Sequence, residues 1–177
     1  MKTPPQPVAC QVRDLGLIDY ATAWELQKTA VKDVSAGGTQ TLFICEHPAV
    51  LTVGRLAAEA NILLPKPELK KRGVDLYYID RGGEVTLHAP GQLVVYPVFN
   101  LLEYGKDLKL FLAELEQVAI DLLRDFGIVA SSLQGQRGVW AGKCKIASIG
   151  IGVRKWVTFH GMALNVNTDL KLFSLIK

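Results

Sequence analysis

Long apolar runs are missing from this chain. No stretch approaches the roughly 18 consecutive apolar residues of a membrane-spanning helix, and the start, MKTPPQPVACQVRD, lacks the apolar core of a secretory signal. Cysteine is scarce and odd in number: Cys10, Cys45 and Cys144 are widely spaced. That pattern excludes a disulfide framework and a zinc ribbon, and it suits a reduced, cytoplasmic setting. An excess of one charge is also missing. Lysine plus arginine number 20 against 17 acidic residues, a net charge of +3, with no basic tract. Nucleic acid and membrane are therefore not expected partners, and the charge leans only weakly toward an acidic protein partner.

Several motifs are absent as well. There is no P-loop and no Gly-x-Ser-x-Gly elbow. Gly150-Ile-Gly152 begins like a dinucleotide fingerprint, but the third glycine is missing and no helix pattern follows. His47, His88 and His160 are too dispersed to define a metal site, so no metal is expected and hydrogen-bonded pocket histidines are the better reading. No internal repeat is visible.

What remains is a 177-residue chain, about half apolar, long enough for one domain with its own core. Strand patterns fall at 8–15, 41–45, 49–54 and 74–79. Others fall at 92–99, 128–130, 138–140, 145–153 and 156–166. Pro97 should end its ladder or place that strand on an edge. A helix runs from a cap at Asp19 to Gly37-Gly38. A stronger one spans Asp107 to Phe126, with apolar residues at helical spacing between a good cap and Gly127. The stretch 57–71 reads as a loop with one helical turn, and Thr168-Asp169 opens a short terminal helix. Many strands and few helices, without regular alternation, predict an α+β fold with a mixed β-sheet flanked by helices.

Two blocks stand apart. RGGEVTLHAPGQLVVYP (81–97) sets a Gly-Gly pair behind an arginine, then a histidine and a Pro-Gly turn before an apolar strand. Paired glycines let backbone approach a ligand and leave N–H groups uncovered, and a titratable His88 stands beside them. The second block, 138–165, places Lys145 at the head of a strand of small residues and repeats the pairing of a histidine with a small residue at His160-Gly161. A lone lysine beside an apolar run is commonly just solvated. Ser148 and Gly150 keep the strand's surface thin and leave room for an elongated apolar ligand.

HPAVLTVGR (47–55), DRGGEVTLHAPGQLVVYP (80–97), GVW…KIASIGIGV (138–153) and FHGMALNV (159–166) occur in that order across nearly the whole chain. Together they resemble the lipoyl(octanoyl) transferases of lipoate biosynthesis, whose fold is similar to the catalytic domain of biotin and lipoate protein ligases. The resemblance implies an acyltransferase and no cofactor. Octanoyl would pass from octanoyl-acyl carrier protein to a lysine on lipoyl domains of 2-oxoacid dehydrogenase complexes and of the glycine cleavage H protein. It implies that Arg81, Gly82, Gly83, Glu84, Val85, Thr86, Leu87 and His88 bind the acyl thioester end. Ser148, Ile149 and Gly150 line the acyl pocket from one strand, and Gly161, Met162 and Ala163 from the next. Lys145 matches the active-site lysine, whose ammonium would lower a neighbouring thiol's pKa. A monomer is expected.

The chain departs from that pattern in two places. The family's nucleophilic cysteine, in a Pro-Cys-Gly motif, would fall about two residues beyond Lys177, so the expectation is one catalytic domain, 1–177, lacking its C-terminal end. Cys144 should point to the strand face opposite Lys145, and Cys45 is expected to be buried and structural. Ala89 stands where the family has glycine, tolerable if its φ is negative. Two rival readings are an ATP-dependent lipoate ligase and a non-catalytic homologue that binds acyl groups or lipoyl domains.

Overall fold

The computed structural model describes residues 8–177. In chain order its elements are β1 (Cys10–Leu17), α1 (Tyr20–Ser35), β2 (Gln40–Glu46), β3 (Val50–Val53), α2 (Lys66–Lys71), β4 (Asp75–Tyr78) and β5 (Val85–His88). They continue as β6 (Gln92–Val98), α3 (Leu108–Asp125), β7 (Ser131–Leu133), β8 (Gln136–Ala141), β9 (Cys144–Arg154) and β10 (Val157–Asn165). Short 3₁₀ turns stand at Glu59–Asn61, Leu101–Tyr104 and Leu170–Leu175.

The strands form two sheets. The larger has the order β1-β2-β6-β10-β9-β8-β7, with β1 and β2 parallel and the other neighbours antiparallel. The smaller has the order β4-β3-β5, parallel on one side of β3 and antiparallel on the other. The class is the expected α+β with mixed pairing, divided over two sheets.

Residue alternation along β6 distributes the core. Val94, Tyr96 and Val98 pack against Ala23, Val31 and Val34 of α1. Leu93 and Val95 belong to the cluster under Ala119 and Leu123 of α3. The two long helices therefore cover opposite faces of the large sheet. The small sheet buries Leu51 and Leu87 against Leu69 of α2 and Leu175 near the end of the described chain. The cap of α3 is as predicted: the Asp107 carboxylate accepts from the Leu110 N–H at 2.9 Å. The helix has more apolar residues than the sheet can cover, and Val118 and Leu108 stay exposed.

Four local expectations need correction. The strand predicted at 128–130 is absent, because the Ile128 N–H closes α3 by bonding to Leu123 O at 2.9 Å; pairing starts only at Ser131. The terminal helix is a 3₁₀ turn, capped by Asp169. Residues 85–88, where no strand was predicted, form the edge strand β5. Pro97 neither ends its strand nor puts it on an edge: it pairs with Leu42 inside a strand flanked by β2 and β10.

The Pro97 carbonyl shows how that exception is accommodated. It points at β10, so the side lacking an N–H also faces β10. There the paired ladder stops at Val95–Met162, and a side chain takes over. Thr158 Oγ1 donates to Pro97 O at 2.6 Å and accepts from the Phe99 N–H at 3.0 Å. In the same gap His160 takes φ 57 and turns its N–H to Gln27 Oε1. Gly161 has no side chain there because a Cβ would come 2.2 Å from Val95 O. Thr158→Val leaves a buried acceptor and a buried donor without partners, and should lower unfolding free energy by about 1–3 kcal/mol in chemical denaturation, whereas Thr158→Ser should not.

Candidate active site

A narrow cleft opens where the two sheets meet, with about 320 Å³ of empty space counting its mouth. Strand pairing brings its walls together. Gly161 of β10 lies opposite Gly150 of β9, and Ala163 opposite Ser148. Arg81, Thr86 and His88 form the facing wall from β5 and the turn before it. Of the residues singled out in the sequence, nine line the cleft: Arg81, Thr86, His88, Ser148, Ile149, Gly150, Gly161, Met162 and Ala163.

The others are displaced for identifiable reasons. Val85 and Leu87 alternate with Thr86 and His88 on β5, and their side chains enter the core of the small sheet; Leu87 is fully buried there. Glu84 turns outward to accept from Asn61 Nδ2 at 2.8 Å. Gly82 does not offer its N–H to a ligand, because it donates to Ile151 O at 2.9 Å and ties the turn to β9. Gly83 adopts φ 85, and its carbonyl lies 2.4 Å from where a Cβ on Gly54 would sit. These glycines serve a close backbone crossing. Ala89, at the position that favours glycine in the resemblance, is buried and does not carry a positive φ; Gly91 does.

Arg81 is the main charge in the cleft. Its side chain is buried, with Nη2 donating to Thr52 O at 2.8 Å and Thr52 Oγ1 at 3.1 Å, and Nη1 donating to Gly82 O at 2.9 Å. Among the described residues no carboxylate pairs with it. Desolvation pulls its pKa down to about 10, so it stays cationic at neutral pH. A buried guanidinium held only by neutral oxygens attracts an anion or a developing oxyanion.

Around it lies an aromatic, hydrogen-bonding group that sequence reading resolved only in part. His88 Nδ1 lies 2.8 Å from Gln92 Oε1, so it is the protonated nitrogen. His47 Nδ1 lies 2.7 Å from Ile18 O, and its Nε2 accepts from the Tyr96 hydroxyl at 2.8 Å. Tyr20, Tyr96 and His160 also line the cleft; of these the sequence pointed only to His160, as a pocket histidine and not as a binding residue. The signal for His160 was its pairing with Gly161. Nothing local marks Tyr20 or Tyr96. Burial drives the pKa of His88 and of His160 down to about 3, with nearby His47 and Arg81 pushing the same way for His88 and Arg81 for His160. The histidines are neutral at pH 7. Among the described residues no group of three or more His, Cys, Asp or Glu could hold a metal ion.

Lys145 does not line the cleft. It stands at the start of β9, Nζ 5.2 Å from the Trp140 ring centroid and packed on Gly138, where a Cβ would come 2.5 Å from Lys145 Cε. Partial burial lowers its pKa, Arg81 adds to this, and Glu116 opposes it. Glu116, a buried carboxylate on α3, accepts from the Gly138 N–H at 3.1 Å and lies 3.5 Å from Arg137 Nη1. It was not legible as a site residue, since it sits among the polar positions of an amphipathic helix.

None of the three cysteines lines the cleft. Cys144 is exposed at the head of β9. Cys45 is buried under α1, its thiol pushed up to about 12 by desolvation, as suits a structural thiol. Among the described residues no helix is long and apolar enough to cross a membrane.

The sequence blocks thus meet at one narrow cleft walled by small residues, with a buried cation at its side that no carboxylate pairs among the described residues. The chain belongs to the lipoyl protein ligase A/B catalytic domain family, which it matches over residues 19–177. It is 46% identical over 168 residues to the octanoyltransferase of Thermoanaerobacter sp. strain X514, covering 94% of this chain and 73% of that protein. It is 45% identical to the octanoyltransferase of Nitratidesulfovibrio vulgaris strain DP4, covering 92% and 75%. The fold is also that of P. falciparum LipL1 in complex with lipoate, with a TM-score of 0.76 at 13% identity over 95% of this chain and 51% of that one. Lipoate-protein ligase A bound with ATP superimposes with a TM-score of 0.69 at 17% identity, over 97% and 71%.

Two outcomes follow from the cleft. Leu87→Ala should cost about 2–5 kcal/mol of stability, read by denaturation, because it empties core rather than cleft. His88 and His160 bind a proton more readily when unfolded, with a pKa near 6.5, than when folded. Their contribution to stability is therefore complete above about pH 6.5 and lost as pH falls toward 3. Unfolding free energy should fall between about pH 6.5 and 5 by up to ~1.4 kcal/mol per pH unit for each histidine, and His88→Gln should flatten that slope.

Proposed function

We propose that this chain carries the catalytic domain of an octanoyltransferase, taking octanoyl from acyl carrier protein and delivering it to a lysine amine of a lipoyl domain. One observation carries the reading: three separated sequence blocks converge on a single narrow cleft with an unpaired guanidinium, in a chain whose relatives bear that name.

The thin wall of Ser148, Gly150, Gly161 and Ala163 admits the acyl chain. The Arg81 N–H groups not spent on Thr52 and Gly82 stabilise the oxyanion as a thiolate attacks the carrier thioester. The carrier sulfur leaves as thiolate and takes its proton from the Lys145 ammonium, which leaves Lys145 neutral. The lysine amine then attacks the acyl-enzyme, expels the enzyme thiolate and forms the amide. In the first step the ammonium of Lys145 stabilises the thiolate; in the second its lowered pKa suits it to carry the amine's proton.

None of Cys10, Cys45 and Cys144 lines the cleft, so the reading requires a thiol brought to it beside the Arg81–Glu84 turn. The Lys177 N–H donates to Asn61 O at 3.0 Å, and Asn61 Nδ2 donates to Glu84, so Lys177 is held beside the Arg81–Glu84 turn.

The test is transfer from octanoyl carrier protein to an apo lipoyl domain by the full-length gene product. A folded protein that transfers nothing refutes the reading. Lys145→Ala should lower the rate by about 10²–10⁴-fold. Glu116→Gln keeps the acceptor for Gly138 but removes the charge that raises the pKa of Lys145. The basic limb of the pH–rate profile should then move to lower pH.

A further inference from the structure

The cleft ends at His160, and a second, larger cavity lies behind that side chain. It is an open groove between α1 and the β9–β10 hairpin, about 1300 Å³ of empty space counting its mouth. His160 is the one residue common to both linings. Its place along the site is fixed by pairing: His160 is opposite Ile151, six residues along β9 from Lys145, or about 20 Å at roughly 3.3 Å per residue. The partition therefore stands at the end of the cleft remote from Lys145, where the tail of an acyl chain would arrive.

The partition is held, and it is held under strain. The His160 N–H donates to Gln27 Oε1 at 2.7 Å, and the ring packs edge-on against Trp24 at 5.0 Å. Its φ of 57 is costly for a residue with a side chain. Two buried polar atoms at the partition have no partner: His160 Nε2 and Gln27 Nε2. Gln27 spends its oxygen on His160, so its amide N–H groups are unused donors in the groove's lining. Trp24 and Phe159 supply apolar surface; Lys28, Lys32, Arg154 and Lys155 supply four cations against one carboxylate, Asp80.

We propose that His160 sets the tail length this site accepts, and that the groove behind it is a second tail chamber suited to longer acyl groups ending in a carboxylate. The closed partition limits the cleft to a short apolar tail. Opening it joins the two cavities. A carboxylate tail then finds the unused Gln27 donors or the lining cations, whereas a methyl tail finds only apolar side chains such as Trp24, Val31 and Phe159. This rests on the acyl-transfer reading for the orientation of the chain, with its head toward Lys145.

His160→Gly tests it and suits the backbone, since glycine adopts positive φ freely. His160→Asn is a second variant, because asparagine also tolerates that region while shortening the side chain. The primary measurement is binding of octanoic, dodecanoic and dodecanedioic acids, followed by Trp24 fluorescence, with Trp24→Phe identifying the signal. Wild type should bind octanoic acid without disturbing Trp24 and bind dodecanedioic acid weakly. In His160→Gly the diacid should bind at least tenfold tighter than in wild type and perturb Trp24, with dodecanoic acid gaining less and His160→Asn intermediate. Folded variants that keep the wild-type order of affinities, or gain equally for both long acids, overturn the proposal. If His160→Gly does not fold, the same criterion applies to His160→Asn. Binding needs no turnover, so loss of octanoyl transfer in wild type would refute the proposed function while leaving this result standing.

Discussion

One buried cation organises the site. The Arg81 guanidinium is held by Thr52 of the small sheet, and the next residue's N–H is bonded to Ile151 of the large sheet. The two sheets are thereby fixed a backbone's width apart. That spacing explains the glycines around it. A Cβ on Gly150 would come 3.1 Å from Gly82 O and 3.3 Å from Arg81 Cδ, and one on Gly54 would collide with Gly83 O. Removing the guanidinium from water is expensive, and neutral carbonyl and hydroxyl oxygens return only part of that cost. The remainder is available to a ligand that brings negative charge into the cleft.

The histidines follow from the same burial. A cationic neighbour and the absence of water keep them neutral, and each has a definite partner or a definite gap. His88 and His47 are oriented by Gln92, Ile18 and Tyr96. His160 has its backbone fixed and its Nε2 free. The result is a cleft whose polar atoms keep one protonation state across the physiological range, with Arg81 as its positive pole and Lys145 outside it on the α3 side. Glu116 holds the Gly138 backbone under that lysine and tempers its pKa.

Much of the site was legible in the sequence because it is written in short blocks. The pairing of glycine with arginine or histidine, and the small residues of the Ser148 and Gly161 strands, needed no long-range information. What failed did so where alternation or a partner strand decides. Val85 and Leu87 share a motif with Thr86 and His88, but β5 turns alternate side chains to opposite faces, so the block divides between core and cleft. Pro97 looked like a terminator because its missing N–H is a local fact. That the gap faces Thr158 and the left-handed backbone of His160 is not.

By itself the sequence determined the α+β class, the Asp107 cap of α3 and the glycine positions, since each rests on spacing or backbone freedom within a few residues; Asp19 begins α1 without a side-chain cap bond. It also determined the family, through the order of four blocks. The division into two sheets, the recruitment of Tyr20, Tyr96 and Glu116, and the single histidine between two cavities were decided only by tertiary structure. Those features join residues from separate elements: Gln27 and His160 lie 133 positions apart and meet at one hydrogen bond. No local propensity encodes such a meeting. It follows only when both helices and both sheets have taken their places around Arg81.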